Sequence, residues 1–217
     1  MPDLARRVHD PEIMDDPGRP ASEFAAAYRE LEAINRYLGG VRAVRRFLPP
    51  GTPASILDVA AGGCDVGEAL ARQGPWRVVS LDSNLEGLRR ARATLAVGGD
   101  AFALPFPDGA FDLVTASLFF HHLSDEDCVR ALRSMHRVAR RAVIVNDLHR
   151  SRVAHASIVG LTALFSRSPM VRHDGPLSVR RAFRPRELAE VARRAGVGGR
   201  VHRSFPYRLV LVVEKGR

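Results

Sequence analysis

The chain reads as an α/β protein built on a doubly wound, mostly parallel sheet, and three observations predict this. Short apolar runs alternate with amphipathic stretches from Ser55 onward. An acid stands at the end of each of the first two runs, Asp58 and Asp82. The first run turns straight into a helix through Ala60-Ala61-Gly62-Gly63, small residues that let a ligand approach bare backbone while the amides of the helix start face it. Alternation of strands and helices buries a parallel sheet under helices on both faces.

Residues 1–20, rich in Asp, Pro and Arg, suit an extended arm. Ser22 is placed to cap an amphipathic helix over 22–38. A second helical stretch, Val41–Phe47, stops at Pro49-Pro50-Gly51, so residues 1–48 form an arm and helical cap in front of a main domain, 49–217. That domain is expected to run as strand Ser55–Val59, helix Val66–Arg72, strand Arg77–Leu81, helix Asn84–Leu95, a short strand within Ala96–Asp100, strand Phe111–Ala116, helix Asp125–Ala139 and strand Ala142–Asn146. An insertion at 148–183 follows, with a helix over 152–166 and then an Arg/His-rich loop. Pro185 opens a helix to Arg194 that Gly196 ends. Val201–Phe205 and Arg208–Glu214 are separated only by Pro206-Tyr207, too little for a parallel crossover, so they form an antiparallel hairpin.

A formal charge of +9 and a pI near 10.9 would ordinarily point to a polyanionic partner. Lys215 is the only lysine among 33 basic residues, and the arginines are scattered through helices without interleaved aromatics that could stack on bases. Nucleic acid is therefore not the expected partner. Cys64 and Cys128 lack metal-site spacing and offer no disulfide framework, so no metal is expected and a reduced cytoplasm is the simplest location. The start of the sequence has no apolar run of the secretory kind. Ala154–Phe165 falls short of the ~20 apolar residues that a spanning helix needs, and is read as a buried or substrate-covering helix. Monomer and homodimer both stay open.

Four landmarks line up in order: Leu57-Asp58-Val59-Ala60-Ala61-Gly62, Val79-Ser80-Leu81-Asp82-Ser83-Asn84, Gly99-Asp100-Ala101, and Leu104-Pro105-Phe106 followed by Phe111-Asp112-Leu113-Val114. From about residue 40 to the end, the chain resembles a class I S-adenosylmethionine-dependent methyltransferase of the small-molecule type, like those of ubiquinone, menaquinone and secondary metabolism. The resemblance implies a Rossmann-like seven-stranded sheet and S-adenosylmethionine as cofactor. It implies that Asp82, with Ser83, meets the ribose hydroxyls, that Asp100 and Ala101 meet the adenine, and that Leu104 and Phe106 cover its ring. Asp58, Ala60 and Gly62 would then face the methionine portion, with Ser117 at the end of the fourth strand. Two of the family's usual glycine positions hold Ala60 and Cys64, and a side chain at Cys64 either crowds the cofactor tail or turns away.

Methyl transfer is an in-line displacement that needs a base only when the acceptor must lose a proton. His121 and His122 follow the fourth strand, where ligands bind in this architecture, and one of them can serve as that base or merely pack there. His173-Asp174 in the insertion offers a second oriented base, or else an ordinary turn. Tyr28, Phe120, Arg172 and His173 are the expected acceptor contacts, and Phe24 and the apolar 158–165 stretch would make the pocket greasy. The acceptor so implied is aromatic or lipid-like, such as a polyketide phenol or a quinone precursor, with O-methylation favoured. A methyltransferase acting on RNA or protein, or a binding protein that has lost catalysis, are the alternatives. No Asn-Pro-Pro-aromatic tetrad follows the fourth strand, where Ala116-Ser117-Leu118-Phe119 stands instead.

Overall fold

The structure is a computed structural model, and it describes residues 3–16, 18, 27, 29–30, 33–35, 37–89 and 95–216. Seven strands form one sheet: β1 (Ala54–Val59), β2 (Trp76–Asp82), β3 (Leu95–Gly98), β4 (Phe111–Ser117), β5 (Ala139–Leu148), β6 (Arg200–Ser204) and β7 (Arg208–Glu214). Their order is β3-β2-β1-β4-β5-β7-β6. The first five are parallel, and β7 runs antiparallel between β5 and β6. The expected hairpin is thus present, and β1 and β4 lie side by side where the strand order reverses. In open α/β sheets the crevice outside the strand C-termini at that switch point is where ligands bind.

The helices are α1 (Gly40–Arg45), α2 (Asp65–Gln73), α3 (Leu85–Leu88), α4 (Asp125–Val138), α5 (Arg152–Phe165), α6 (Pro169–Arg181) and α7 (Pro185–Ala195). Residues 27, 29–30, 33–35 and 37 are helical as well, within the expected 22–38 helix, whereas Ser22, Phe24 and Tyr28 lie outside the described residues. The sheet separates two apolar layers. One joins Leu57, Val114, Val143 and Leu211 to Leu132 and Met135 of α4 and Leu188 of α7. The other joins Ile56, Val78 and Ile144 to Val44 of α1 and Leu70 of α2. Fully burying each aliphatic side chain of this kind stabilises the fold by roughly 1.5–3 kcal/mol.

Two elements differ from expectation. Of the helix expected over Asn84–Leu95, Leu85–Leu88 is helical and residues 90–94 lie outside the described residues; the Asn84 side chain caps it, accepting from the Glu86 and Gly87 amides. Leu95 instead opens β3, which pairs with Val79–Asp82, so the third strand comes earlier than expected and Asp100 lies past its end. The expected loop after residue 166 is helix α6, with Ser168 accepting from the Val171 amide and Pro169 at its first turn. Gly175-Pro176 has the composition of a turn, yet it sits inside this helix. A Cβ on Gly175 would stand 3.3 Å from both Ile158 and Thr162, so the bare glycine lets α6 lie close against α5.

Candidate active site

The C-terminal ends of β1, β2, β4 and β5 open into a cavity of about 1390 Å³. One wall is the β1–α2 turn. Ala60 and Cys64 adopt the left-handed backbone region (φ 54° and 62°), as does Gly62 (φ 52°). That conformation explains why glycine suits the first two positions, since an L side chain is strained there. Cys64 does not line the cavity; its side chain is fully buried under the turn, where burial pushes the thiol up to about 11 while Ser80 pulls the other way. The side chain has turned away from the ligand side.

At Gly62 and Gly63 an added Cβ would meet nothing within 4 Å, so bare backbone borders the cavity as a nucleoside cofactor requires. Asp82 stands beside it, its two oxygens accepting from the Gly62 amide and the Asn84 amide, both at 2.7 Å. Each oxygen keeps a further lone pair for a ribose hydroxyl. Ser83, Asp100, Ala101 and Ser117 also line this half, with Asp100 accepting from the Phe102 amide at 2.8 Å and Ser117 from the Asn146 side chain at 3.3 Å. The residues present therefore fit the cofactor that the resemblance implies. Asp58 borders the cavity, but its carboxylate accepts from Thr115 Oγ1 at 2.8 Å, and burial pushes it up to about 7.

The other half holds the acid–base groups. Leu118, in the left-handed region at φ 56°, swings the chain off β4 and ties its amide to the Asn146 carbonyl. A single 3-10 turn, Phe120–His122, then brings His121 over the end of β5. Asp147 binds His121 through both oxygens, to ring Nδ1 at 2.8 Å and to the backbone amide at 3.1 Å. A carboxylate only accepts, so Nδ1 carries the proton and the Nε2 lone pair is left for other chemistry. Burial acts to raise the Asp147 carboxyl, but His121 and two backbone amides outweigh it and hold it below its ordinary value.

His122 lines the cavity too, its ring centroid 4.1 Å from that of His121 and its Nδ1 3.7 Å from Glu12. Glu12 is almost wholly buried, accepts from the Ser178 hydroxyl at 2.7 Å and lies 3.8 Å from Arg181. Burial pushes its carboxyl above the usual range against the pull of His121. Glu12, His121 and His122 offer ligand atoms within 4.8 Å of one another, a spacing that a divalent cation can draw together. Sequence reasoning did not find Glu12, because nothing local marks it. It arrives on an N-terminal strap held by distant groups: Asp174 accepts from the Ile13 and Met14 amides, Arg181 donates to the Asp10 carbonyl, and Arg150 and Arg184 donate to the Leu4 carbonyl.

Five expected contacts are not at this cavity. Phe120 is fully buried in the core while its neighbour Phe119 faces the cavity, because the 3-10 turn points successive side chains to different sides. Leu104 and Phe106 likewise pack into the core, Phe106 edge-on against Phe111, and Phe102 takes the cavity position. His173, on α6 rather than in a loop, turns to a separate groove of about 380 Å³ with Asp10 and His155. Arg172 donates to the Ser166 and Ala163 carbonyls at the end of α5.

The match to known proteins follows this geometry. Residues 56–142 match the family described as "Methyltransferase domain". The demethylmenaquinone methyltransferase of Mycolicibacterium vanbaalenii is 34% identical over 132 residues, which are 58% of this chain and 57% of that protein. The chain therefore spans little more than half the length of such relatives. Among solved structures, a SAM-dependent methyltransferase from Aquifex aeolicus superposes with a TM-score of 0.63 at 17% identity, over 86% of this chain and 95% of that one. A methyltransferase from Thermotoga maritima, described as a possible histamine N-methyltransferase, gives 0.64 at 17%, over 89% and 97%. Residues 56–142 are thus a methyltransferase domain by sequence, and the fold that carries them is the one shared by these S-adenosylmethionine-dependent methyltransferase structures.

Proposed function

We propose that the protein methylates a hydroxyl of a small aromatic or lipid-like acceptor, with His121 as general base. The observation that carries this reading is the buried Asp147–His121 pair at the cavity wall. Asp82, Ser83, Asp100, Ala101, Ser117 and the Ala60–Gly62 backbone would hold the cofactor, which when bound supplies an electrophilic methyl group. His121 Nε2 takes the acceptor's O–H proton, which leaves the oxygen charged and more nucleophilic. Asp147 fixes the ring tautomer and stabilises the imidazolium. His122 and Glu12 border the same space and orient the acceptor hydroxyl. Ile158 and Leu161 of α5 give the cavity its apolar side, and the 148–183 insertion with the N-terminal strap acts as its cover. The relatives named demethylmenaquinone methyltransferases favour a quinol-like acceptor among aromatic ones.

The test is an acceptor panel of phenols, hydroquinones and unmodified transfer RNA, assayed with wild type, His121→Ala and Asp82→Ala. His121→Ala should lower kcat on the phenolic acceptor by about 10²–10⁴-fold and flatten the acid limb of the pH profile. Its cofactor affinity should not change. Asp82→Ala should weaken cofactor binding by about ten- to a hundredfold, the worth of a charged hydrogen bond. Turnover confined to transfer RNA, or an unchanged rate for His121→Ala, would defeat the proposal.

A further inference from the structure

Between Asp147 and Asp174 the chain carries no carboxylate: the 26 residues Leu148–His173 hold four arginines and three histidines and no acid. Helix α5 lies in this stretch and is apolar on both sides. Ile158 and Leu161 face the cavity. On the solvent side Val153 is 62%, Val159 42%, Leu164 78% and Phe165 76% exposed, and only Ala154 and Thr162 of the whole helix are buried. Helical spacing places Val153, Val159 and Leu164 on one outward arc, with Ala156 and Ala163 between them and Phe165 projecting at its end. A helix that is hydrophobic all round normally lies inside a protein or against lipid.

The charges around this face identify its occupant. Arg152 stands exposed at its start, and Arg167 and Arg172 stand exposed beyond its end. Arg172 is held there by its bonds to the Ser166 and Ala163 carbonyls. At the far end Glu30 accepts from the Ser166 hydroxyl and the Arg167 amide and is engaged within the fold. A two-fold contact between copies would set the three exposed arginines against their own copies, which like-charge repulsion opposes. An anionic lipid surface meets both the apolar arc and these arginines.

We propose that α5 seats the protein on anionic membrane surfaces, lying in the headgroup plane along its length of about 21 Å. No helix among the described residues is long and apolar enough to cross a membrane, so this is contact along one face. The same helix walls the cavity, and, on the methyl-transfer reading above, a lipid-soluble acceptor would reach the site without leaving the bilayer. The seat itself needs neither cofactor nor acceptor, so it can fail while methyl transfer stands.

The test is co-sedimentation of the whole chain with vesicles of phosphatidylglycerol and phosphatidylcholine, and with phosphatidylcholine alone. Size-exclusion chromatography with light scattering runs alongside. Binding is expected to the anionic vesicles only and to fall as salt rises. Leu164→Glu with Phe165→Glu should reduce partitioning at least about tenfold, because two apolar anchors are lost and two repelling charges gained. Arg167→Gln should reduce it about fivefold. Unchanged thermal unfolding and cofactor affinity in these variants would show that the fold survives. No binding at low salt, or equal binding by the double variant, would overturn the proposal. So would a wild-type dimer that the double variant splits without any vesicle binding, since the face would then be a subunit contact.

Discussion

The two halves of the cavity are built by different means. On the cofactor side, main-chain groups and short-range caps do the work: Asp82 binds the Asn84 amide two residues on, Asn84 caps α3, and Gly62 and Gly63 present bare backbone. On the acceptor side, side chains reach across the chain. Arg7 donates to the Leu123 and Arg181 carbonyls and lies over the Phe183 ring, while Arg150, Arg181 and Arg184 hold the strap that brings in Glu12. The contrast teaches what the arginines are for. Many of them replace secondary structure by satisfying carbonyls that no ladder or helix reaches, which a planar five-donor group does better than a lysine.

If the halves are separable, damage to each should show in a different constant. The largest effect belongs to Asp147→Asn. It leaves the shape but loses the charge that orients His121, and we expect kcat to fall by about 10²–10³-fold with unchanged cofactor affinity in a calorimetric titration. Loss of cofactor binding instead would break the division. Next comes Arg150→Ala, which removes a fully buried guanidinium bonded to Leu4, Ala182 and Glu187. Because Glu187 is partly exposed, the cost is set at roughly 2–3 kcal/mol, read from denaturant midpoints.

Asp58 sharpens the comparison through pH. Its folded carboxyl is raised to about 7, chiefly by burial, from an ordinary 3.8. The folded state then holds a proton that the unfolded state has released, so stability is lost as pH rises from about 4 to 7. Asp58→Asn should escape that loss, and its melting temperature relative to wild type should climb across this window, by an amount worth on the order of 1–3 kcal/mol at pH 7. A constant difference would mean that Asp58 stays charged in the fold. The smallest effect is expected from Ala60→Gly, which relieves the left-handed strain at φ 54°. A gain of about 1 kcal/mol would raise the melting temperature by about 2–4 °C.

The same contrast governs what the amino-acid pattern could reveal. Asp82, Asn84 and the Ala60–Gly63 turn were legible because strand, turn and helix are neighbours in sequence, and the sheet followed from their alternation. His121 was legible by its place after β4, but its partner Asp147 is known only from the pairing of β4 with β5. His173 misled, since Gly175-Pro176 looks like a turn when the contact with Ile158 and Thr162 is out of sight. Cys64 could go either way from the pattern alone, and burial under the turn decided it. Glu12 had no local signal, because its position is set by Asp174, Arg181 and Arg184.

That strap bears on when the site comes into being. Apart from Arg7, which reaches Asp125 and Leu123, Leu4 to Met14 are held chiefly by residues 150–184, so the strap cannot be fixed until that stretch has been made. The sheet edge at β1–β2–β3 can pair long before then, whereas the acid–base pocket closes only once α6 and the start of α7 have emerged. Contacts of such separation form slowly and late. A nascent chain of this protein would therefore hold its cofactor half before it could act on anything, and chemistry would switch on as one of the final events of folding.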